Sequence, residues 1–253
     1  EAETLFADRI ASGAEVRFDP ATGSVRASHG RRLGAILLSG GRDSRVEPAA
    51  VEAGLLEGVR EHGLGLLPWS EGAAGLRERT AFARGIEPSL ADLSDEALMT
   101  DLDQWLPAAL SGARSLRDLD RQAPASALEA RLGWEGRKTV DRLAPAFFES
   151  PAGSRHPIDY SAEAGPTVTV RVQALFGLAE HPSIGGGRVP LVLALTSPAG
   201  RPVQTTRDLP GFWLGSWAAG AEEMRGRYPK HPWPDDPAAA DPTLKTKKAQ
   251  ARR

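Results

Sequence analysis

The sequence predicts an α+β fold, and three observations predict it. Apolar and polar residues alternate around a Pro- and Gly-containing turn near the start, leucines recur at helical spacing from residue 48 to about 148, and valines alternate again before a tryptophan-bearing helix. At 253 residues, with 41% apolar and 25% charged positions, the chain is long enough for two compact domains of ordinary globular composition. The absence of cysteine excludes disulfides and cysteine-held zinc or iron–sulfur sites. No apolar run approaches the ~20 residues that span a bilayer, so no membrane partner is expected and a cytoplasmic location is. The chain opens on Glu1-Ala2-Glu3 without an initiator Met or a secretory pattern, which favours an excised C-terminal fragment.

Residues 1–47 read as a small β unit. Val16-Arg17-Phe18 and Val25-Arg26-Ala27 flank Asp19-Pro20-Ala21-Thr22-Gly23, which suits a hairpin turn. Leu33 to Leu38 forms a further apolar stretch that Gly40-Gly41 is expected to break. Three such strands resemble the later part of an OB-like barrel, entered after its beginning. Arg17, Arg26, Arg31 and Arg32 could line its nucleic-acid face or form the solvated side of a half-buried sheet.

Residues 48–150 read as helical. Pro48 suits a first turn, and Val51, Leu55, Leu56 and Val59 repeat until Gly63. Ser70 caps a helix running through Arg84. Ser94 caps another, with Asp95 and Glu96 in its positive first turn and Leu98, Leu102, Trp105 and Leu106 as its buried stripe, until Pro107 bends or ends it. Leu116, Leu119, Leu128 and Leu132 continue the pattern towards Pro145 and Phe147-Phe148.

Residues 151–244 read as a small α+β domain. Ile158-Asp159-Tyr160 is a short strand; Val168, Val170 and Val172 alternate in a second, and Gln173 to Phe176 turns helical. Gly185-Gly186-Gly187 is a loop, Val189 to Leu195 a strand, and Ser197-Pro198-Ala199-Gly200 a turn returning through Val203 to Thr206. Leu209-Pro210-Gly211 opens a helix carrying Phe212, Trp213, Trp217 and Met224, of which Phe212, Trp213 and Trp217 are read as structural. Residues 245–253 form a basic tail.

The most informative stretch is Met224 to Pro237. Arg225, Arg227, Lys230 and His231 stand among Tyr228 and Trp233, while Pro229, Pro232, Pro234 and Pro237 fix the backbone between them. The helix must end near Arg227, and a stiff extended Pro-rich arm follows. Cations that meet phosphates and rings that stack on bases are the parts of a nucleic-acid surface. The same residues could instead clamp the arm on its own domain, with Trp233 in a groove and the arginines in local ion pairs.

Together with Leu209-Pro210-Gly211-Phe212-Trp213, Ser197 to Thr205, Ile158-Asp159-Tyr160, Val170 to Gly177 and Asp92 to Leu98 leading to Trp105-Leu106, this motif resembles the C-terminal region of bacterial HrpB-type DExH-box ATP-dependent helicases. The resemblance spans nearly the whole chain and is weakest before Leu33. It implies an accessory region of a helicase related to DEAH-type RNA helicases, whose two RecA-like domains precede helical and OB-like parts. Its implied partners are RNA or another nucleic acid and the RecA-like core. ATP and magnesium belong to that core, and no cofactor is expected in this chain.

The chain carries no Gly-Lys dipeptide, so a phosphate-cradling P-loop is absent. Asp101-Leu102-Asp103 and Asp235-Asp236 lack the strand context and the His of a DExH box. The family hydrolyses nucleoside triphosphates, but this chain alone is expected to have no ATPase activity and no catalytic residues. The five histidines are scattered, and none pair at the i, i+4 spacing of a helical metal site. A hydrolytic Ser154–His156–Asp159 set is set aside because Asp159, beyond Pro157, would leave the face that Ser154 and His156 share.

Charge is uneven. Residues 188–253 hold eleven Lys and Arg against six Asp and Glu, a net +5 that leaves −7 on the remainder. A basic end on an acidic body suits a localised anion-facing surface. Two function classes follow. In one, Arg225, Arg227 and Lys230 pair with phosphates, Tyr228 or Trp233 stacks on bases, His231 contacts an anion, and Arg201 or Arg188 extends the track. In the other, the chain is a structural and protein-interaction module without nucleic-acid binding of its own, locked by Trp213, Trp217 and Trp233.

Overall fold

In a computed structural model, the structure describes residues 10–33, 36–42 and 47–250, with side chains from 16 to 26 and from 47 to 249. The chain is α+β and divides into two compact units. One holds the described residues up to Arg77 together with Ala91–Trp134; the other holds Glu78–Leu90 and the chain from Glu135.

In the first unit, β1 (Ile10–Asp19), β2 (Ser24–Leu33) and β3 (Ile36–Arg42) form an antiparallel meander. Asp19 makes the first turn: its carboxylate accepts from the Ala21 N–H at 3.0 Å, its carbonyl accepts from the Gly23 N–H at 2.8 Å, and Gly23 takes φ 65°. Gly40-Gly41 does not break β3, because the ladder to Gly30 and His29 is made by backbone alone. Arg26 pairs with Asp19 at 2.6 Å, while the expected Arg31 and Arg32 lie outside the described side chains.

Helix Pro48–His62 packs on this meander. Its glycines are the reason. A Cβ on Gly58 would stand 2.3 Å from the Phe18 ring, and one on Gly54 would stand 3.0 Å from Val16 and Val25. Two glycines one turn apart flatten a helix face so that a sheet can approach. Arg60 then donates to Asp103 at 2.6 Å, which ties this helix to helix Leu102–Leu110.

The Ser94 cap forms, its hydroxyl accepting from the Ala97 N–H at 3.3 Å, but the helix it opens stops at Thr100. Asp101, at φ −101° and ψ 25°, separates it from Leu102–Leu110. Pro107 lies inside that second helix, which runs on to Leu110 rather than ending there. Trp105 spans the break, donating its indole N–H to the Leu98 carbonyl at 2.8 Å. Helix Ala123–Leu143 leaves helical geometry at Gly133, the last residue but one of this unit.

In the second unit the sheet order is β10-β9-β6-β5-β4, with β4 (Phe147–Glu149), β5 (Arg155–Asp159), β6 (Thr167–Arg171), β9 (Val192–Thr196) and β10 (Pro202–Thr206). Only β6 and β9 are parallel; the other neighbours are antiparallel. Phe147 and Phe148 belong to edge strand β4, not to the helical region. The expected single strand Val189 to Leu195 is two, β8 (Val189–Pro190) and β9, because the Leu191 N–H turns aside to the Pro182 carbonyl; β8 pairs instead with β7 (Ser183–Ile184) across Gly185–Gly187. Arg79 brings 78–90 into this unit, donating to the Ala144 carbonyl and to Asp141, each at 2.5 Å. Val168, Val170, Leu193, Leu195, Phe176 and Leu209 fill the core.

The expected helix from Leu209 is likewise two, Leu209–Leu214 and Trp217–Arg227, parted at Gly215 and Ser216. Asp208 caps the first, accepting from the Gly211 N–H at 2.9 Å. The second ends at Arg227, where the Tyr228 N–H closes on the Met224 carbonyl at 2.7 Å. None of the helices described is long and apolar enough to cross a membrane.

Candidate nucleic-acid interface

Residues 228–246 carry no helix or strand, yet they are held by side chains. The Trp217 ring lies 5.6 Å from Phe176, 5.3 Å from Trp213, 6.1 Å from Phe212 and 6.1 Å from Trp233. Each indole N–H finds a carbonyl: Trp213 donates to Leu178 at 3.0 Å, Trp217 to Pro234 at 2.9 Å and Trp233 to Tyr228 at 3.0 Å. Such pairing lets a large ring be buried without stranding its donor. Proline gives this segment few N–H groups to satisfy, so its carbonyls become the acceptors.

Arg225 serves the same lock. It donates to the Trp233 carbonyl from Nη2 at 2.8 Å and pairs with Asp235. Arg227 pairs with Glu223 one turn back at 3.1 Å. Trp233 is 6% exposed, so no face of its ring is open. Tyr228 is half-buried and shares a hydrogen bond of 3.3 Å with the Ser197 hydroxyl. That hydroxyl also accepts from the Arg201 N–H at 3.2 Å, which places the 197–201 turn beside Tyr228.

The other cations differ. Lys230, Arg201 and Arg188 are exposed, and none is within 4.0 Å of a carboxylate among the described residues. Arg188 follows the Gly185–Gly187 link between β7 and β8. His231 is half-buried; its Nδ1 is enclosed without a hydrogen-bond partner. Burial, and then the nearby Arg171 charge, holds its pKa below the ordinary histidine value.

Three residues that the sequence reading did not single out share this neighbourhood: Arg171, Lys245 and Lys247. The alternation of β6, with Val168 and Val170 buried, is the signal that puts Arg171 outside. The lysines were legible only as part of a basic tail, whose residues 251–253 lie outside the described ones.

The alternative constellations separate. Ser154 shares a hydrogen bond of 2.8 Å with His156 Nε2, but Asp159 accepts from the Ser161 hydroxyl at 2.7 Å and has turned away. Burial lowers the His156 pKa. Asp235 goes to Arg225 and Asp236 to the Ala239 N–H, so neither joins His231. No group of three or more metal-ligating side chains occurs among the described residues.

The family model for "ATP-dependent helicase C-terminal" (HrpB_C) matches residues 105–237. The ATP-dependent RNA helicase HrpB of Escherichia coli strain K12 is 39% identical over 241 residues, covering 92% of this chain and 29% of the relative. The crystal structure of the E. coli DExH-box NTPase HrpB superposes with TM-score 0.78 at 36% identity, over 96% of this chain and 31% of that one. A second crystal structure, of the E. coli DEAH/RHA helicase HrpB, gives TM-score 0.69 at 35% identity, over 89% and 29%. The chain thus spans under a third of the length of the relatives it matches.

Proposed function

The chain belongs to the ATP-dependent helicase C-terminal family, and from that premise we propose that it is the accessory C-terminal region of an ATP-dependent RNA helicase and contributes nucleic-acid binding to a RecA-like motor. In this reading the motor supplies ATP, magnesium and hydrolysis, and this chain supplies a cationic surface in the cytoplasm of a bacterium. Lys230 and Arg201 meet phosphates on either side of Tyr228, and Arg188 extends the track. The meander from Ile10 to Arg42 is the later part of an OB-like barrel, and residues 228–237 are a proline-stiffened arm.

The observation that carries the reading is the set of exposed cations, Lys230, Arg201 and Arg188, left without a carboxylate partner among the described residues. Unpaired cations on a basic end are free to replace the counterions of a phosphate backbone. Fluorescence anisotropy of labelled single-stranded RNA, titrated with this chain at low and physiological salt, tests it. Binding that weakens steeply with salt is the expected result.

A second reading is favoured by a different observation: Arg225 and Trp233 are consumed in holding 228–237 to the domain. In that reading the chain is a structural and protein-interaction module. It predicts no RNA binding at low salt together with binding to separately produced RecA-like domains.

A further inference from the structure

We propose that the phosphate contacts of this region centre on Arg171, Lys230, Lys245 and Lys247 gathered around His231, while Arg225 and Arg227 serve the fold. This rests on the nucleic-acid reading above and names the residues that perform it.

The backbone brings these positions together. Arg171 ends β6 on its exposed side, and the turn Val172–Leu175 follows at once. In that turn Gln173 is buried; its Nε2 donates to the Pro232 carbonyl at 3.3 Å, and its own carbonyl accepts from the Thr243 N–H at 3.1 Å. One buried glutamine therefore fixes both the segment beginning at His231 and the returning chain beside the base of Arg171. The Lys247 N–H donates to the Lys230 carbonyl at 2.9 Å, and the Lys245 N–H to the Thr243 hydroxyl at 3.0 Å. Four exposed cations thus stand on three chain segments that these bonds tie together; the His231 Nδ1 among those segments has no partner, and the Arg171 charge is near enough to lower the pKa of His231.

Charge then selects the occupant. None of the four cations lies within 4.0 Å of a carboxylate among the described residues, whereas Arg225 and Arg227 each do. Like charges gathered without an acid between them repel, and an anion seated among them removes that repulsion. A phosphodiester backbone fits better than a single carboxylate, because it repeats its charge along the spread from Arg171 to Lys247. Contacts of this kind hold the strand without reading its sequence.

The test uses the 253-residue chain, two labelled single-stranded RNAs of unrelated sequence, and anisotropy at several salt concentrations. Lys230→Glu with Lys247→Glu, and separately Arg171→Glu, are expected to weaken both RNAs equally, by about ten-fold or more at low salt, and to flatten the salt slope by about 0.7 for each cation lost. Arg227→Ala, which leaves the Trp233 lock intact, is expected to keep the wild-type slope. Melting temperatures verify folding, and Lys230→Gln with Lys247→Gln supplies a milder pair that must show the same direction. If the wild type binds and these variants keep its affinity and slope, the seat is overturned while the nucleic-acid reading stands. If the wild type does not bind even at low salt, both fall.

Discussion

The two units each fasten an element to a core, and they do it by opposite means. In the first, helix Pro48–His62 lies on the meander because Gly54 and Gly58 present no side chain where Phe18, Val16 and Val25 arrive. In the second, residues 228–237 have no repeating structure and are held by bulk: stacked Trp217 and Trp233, with indole and guanidinium donors satisfying proline-flanked carbonyls. A contact made by absence tolerates no added atom. A contact made by large rings tolerates no removal. The same contrast divides the cations, since Arg225 is built into the second lock and Lys230 is left outside it.

The largest effect should come from Trp217→Ala. It removes the ring that touches Phe176, Phe212, Trp213 and Trp233, and about 3–5 kcal/mol of stability should go with it, read from the urea midpoint of the chain. A loss below about 1 kcal/mol would mean the segment is held by its hydrogen bonds instead.

Next in size is Gly58→Ala, expected to destabilise by about 1–3 kcal/mol because its Cβ would overlap the Phe18 ring. Gly75→Ala would place its methyl in open space and should stabilise by about 0.5–1 kcal/mol, as helical glycines do when nothing opposes the methyl. The pair Gly58→Ala with Phe18→Ala should then be less harmful than the sum of its parts. Additive losses would refute the steric account.

Arg225→Ala should cost about 1 kcal/mol, chiefly through the Trp233 carbonyl it leaves. Asp235 is 95% exposed, so Asp235→Asn should change little. Equal losses in the two variants would assign the effect to the ion pair.

The smallest effect is a pH dependence. Burial lowers the pKa of His231 and His156 in the folded chain. The unfolded chain, titrating near 6.5, therefore binds more protons as pH falls below that value. Their contribution is complete above about 6.5 and declines as pH drops through the lowered folded values. Unfolding midpoints at neutral and mildly acidic pH should show it, and His156→Gln should reduce the difference. A midpoint that rises on acidification would reverse the sign and the assignment.

Much was legible in the sequence alone. The Asp19–Gly23 turn, the Pro48 start, the Ser94 cap and the helix end at Arg227 depend on side chains acting on backbone within a few residues, and local chemistry is written locally. The breaks at Asp101, Leu191 and Gly215 were not, because the segments beyond them keep the apolar spacing of the elements before. The family, too, was legible from the 224–237 motif and its companions.

Tertiary structure alone decided which cations are free. Arg225, Arg227 and Lys230 stand within six positions and look equivalent in sequence. Distance to Trp233, Asp235 and Glu223 separates them, and those partners are set by where the chain turns. Arg171 and Lys247 are 76 residues apart in number, yet Gln173 and the Lys230 carbonyl tie their surroundings together. The sequence by itself determined the fold class, the family and a basic end, because these are sums over many residues or patterns within a few. Pairing between charges falls off over a few ångströms, so only the folded chain could say which of them remain unpaired.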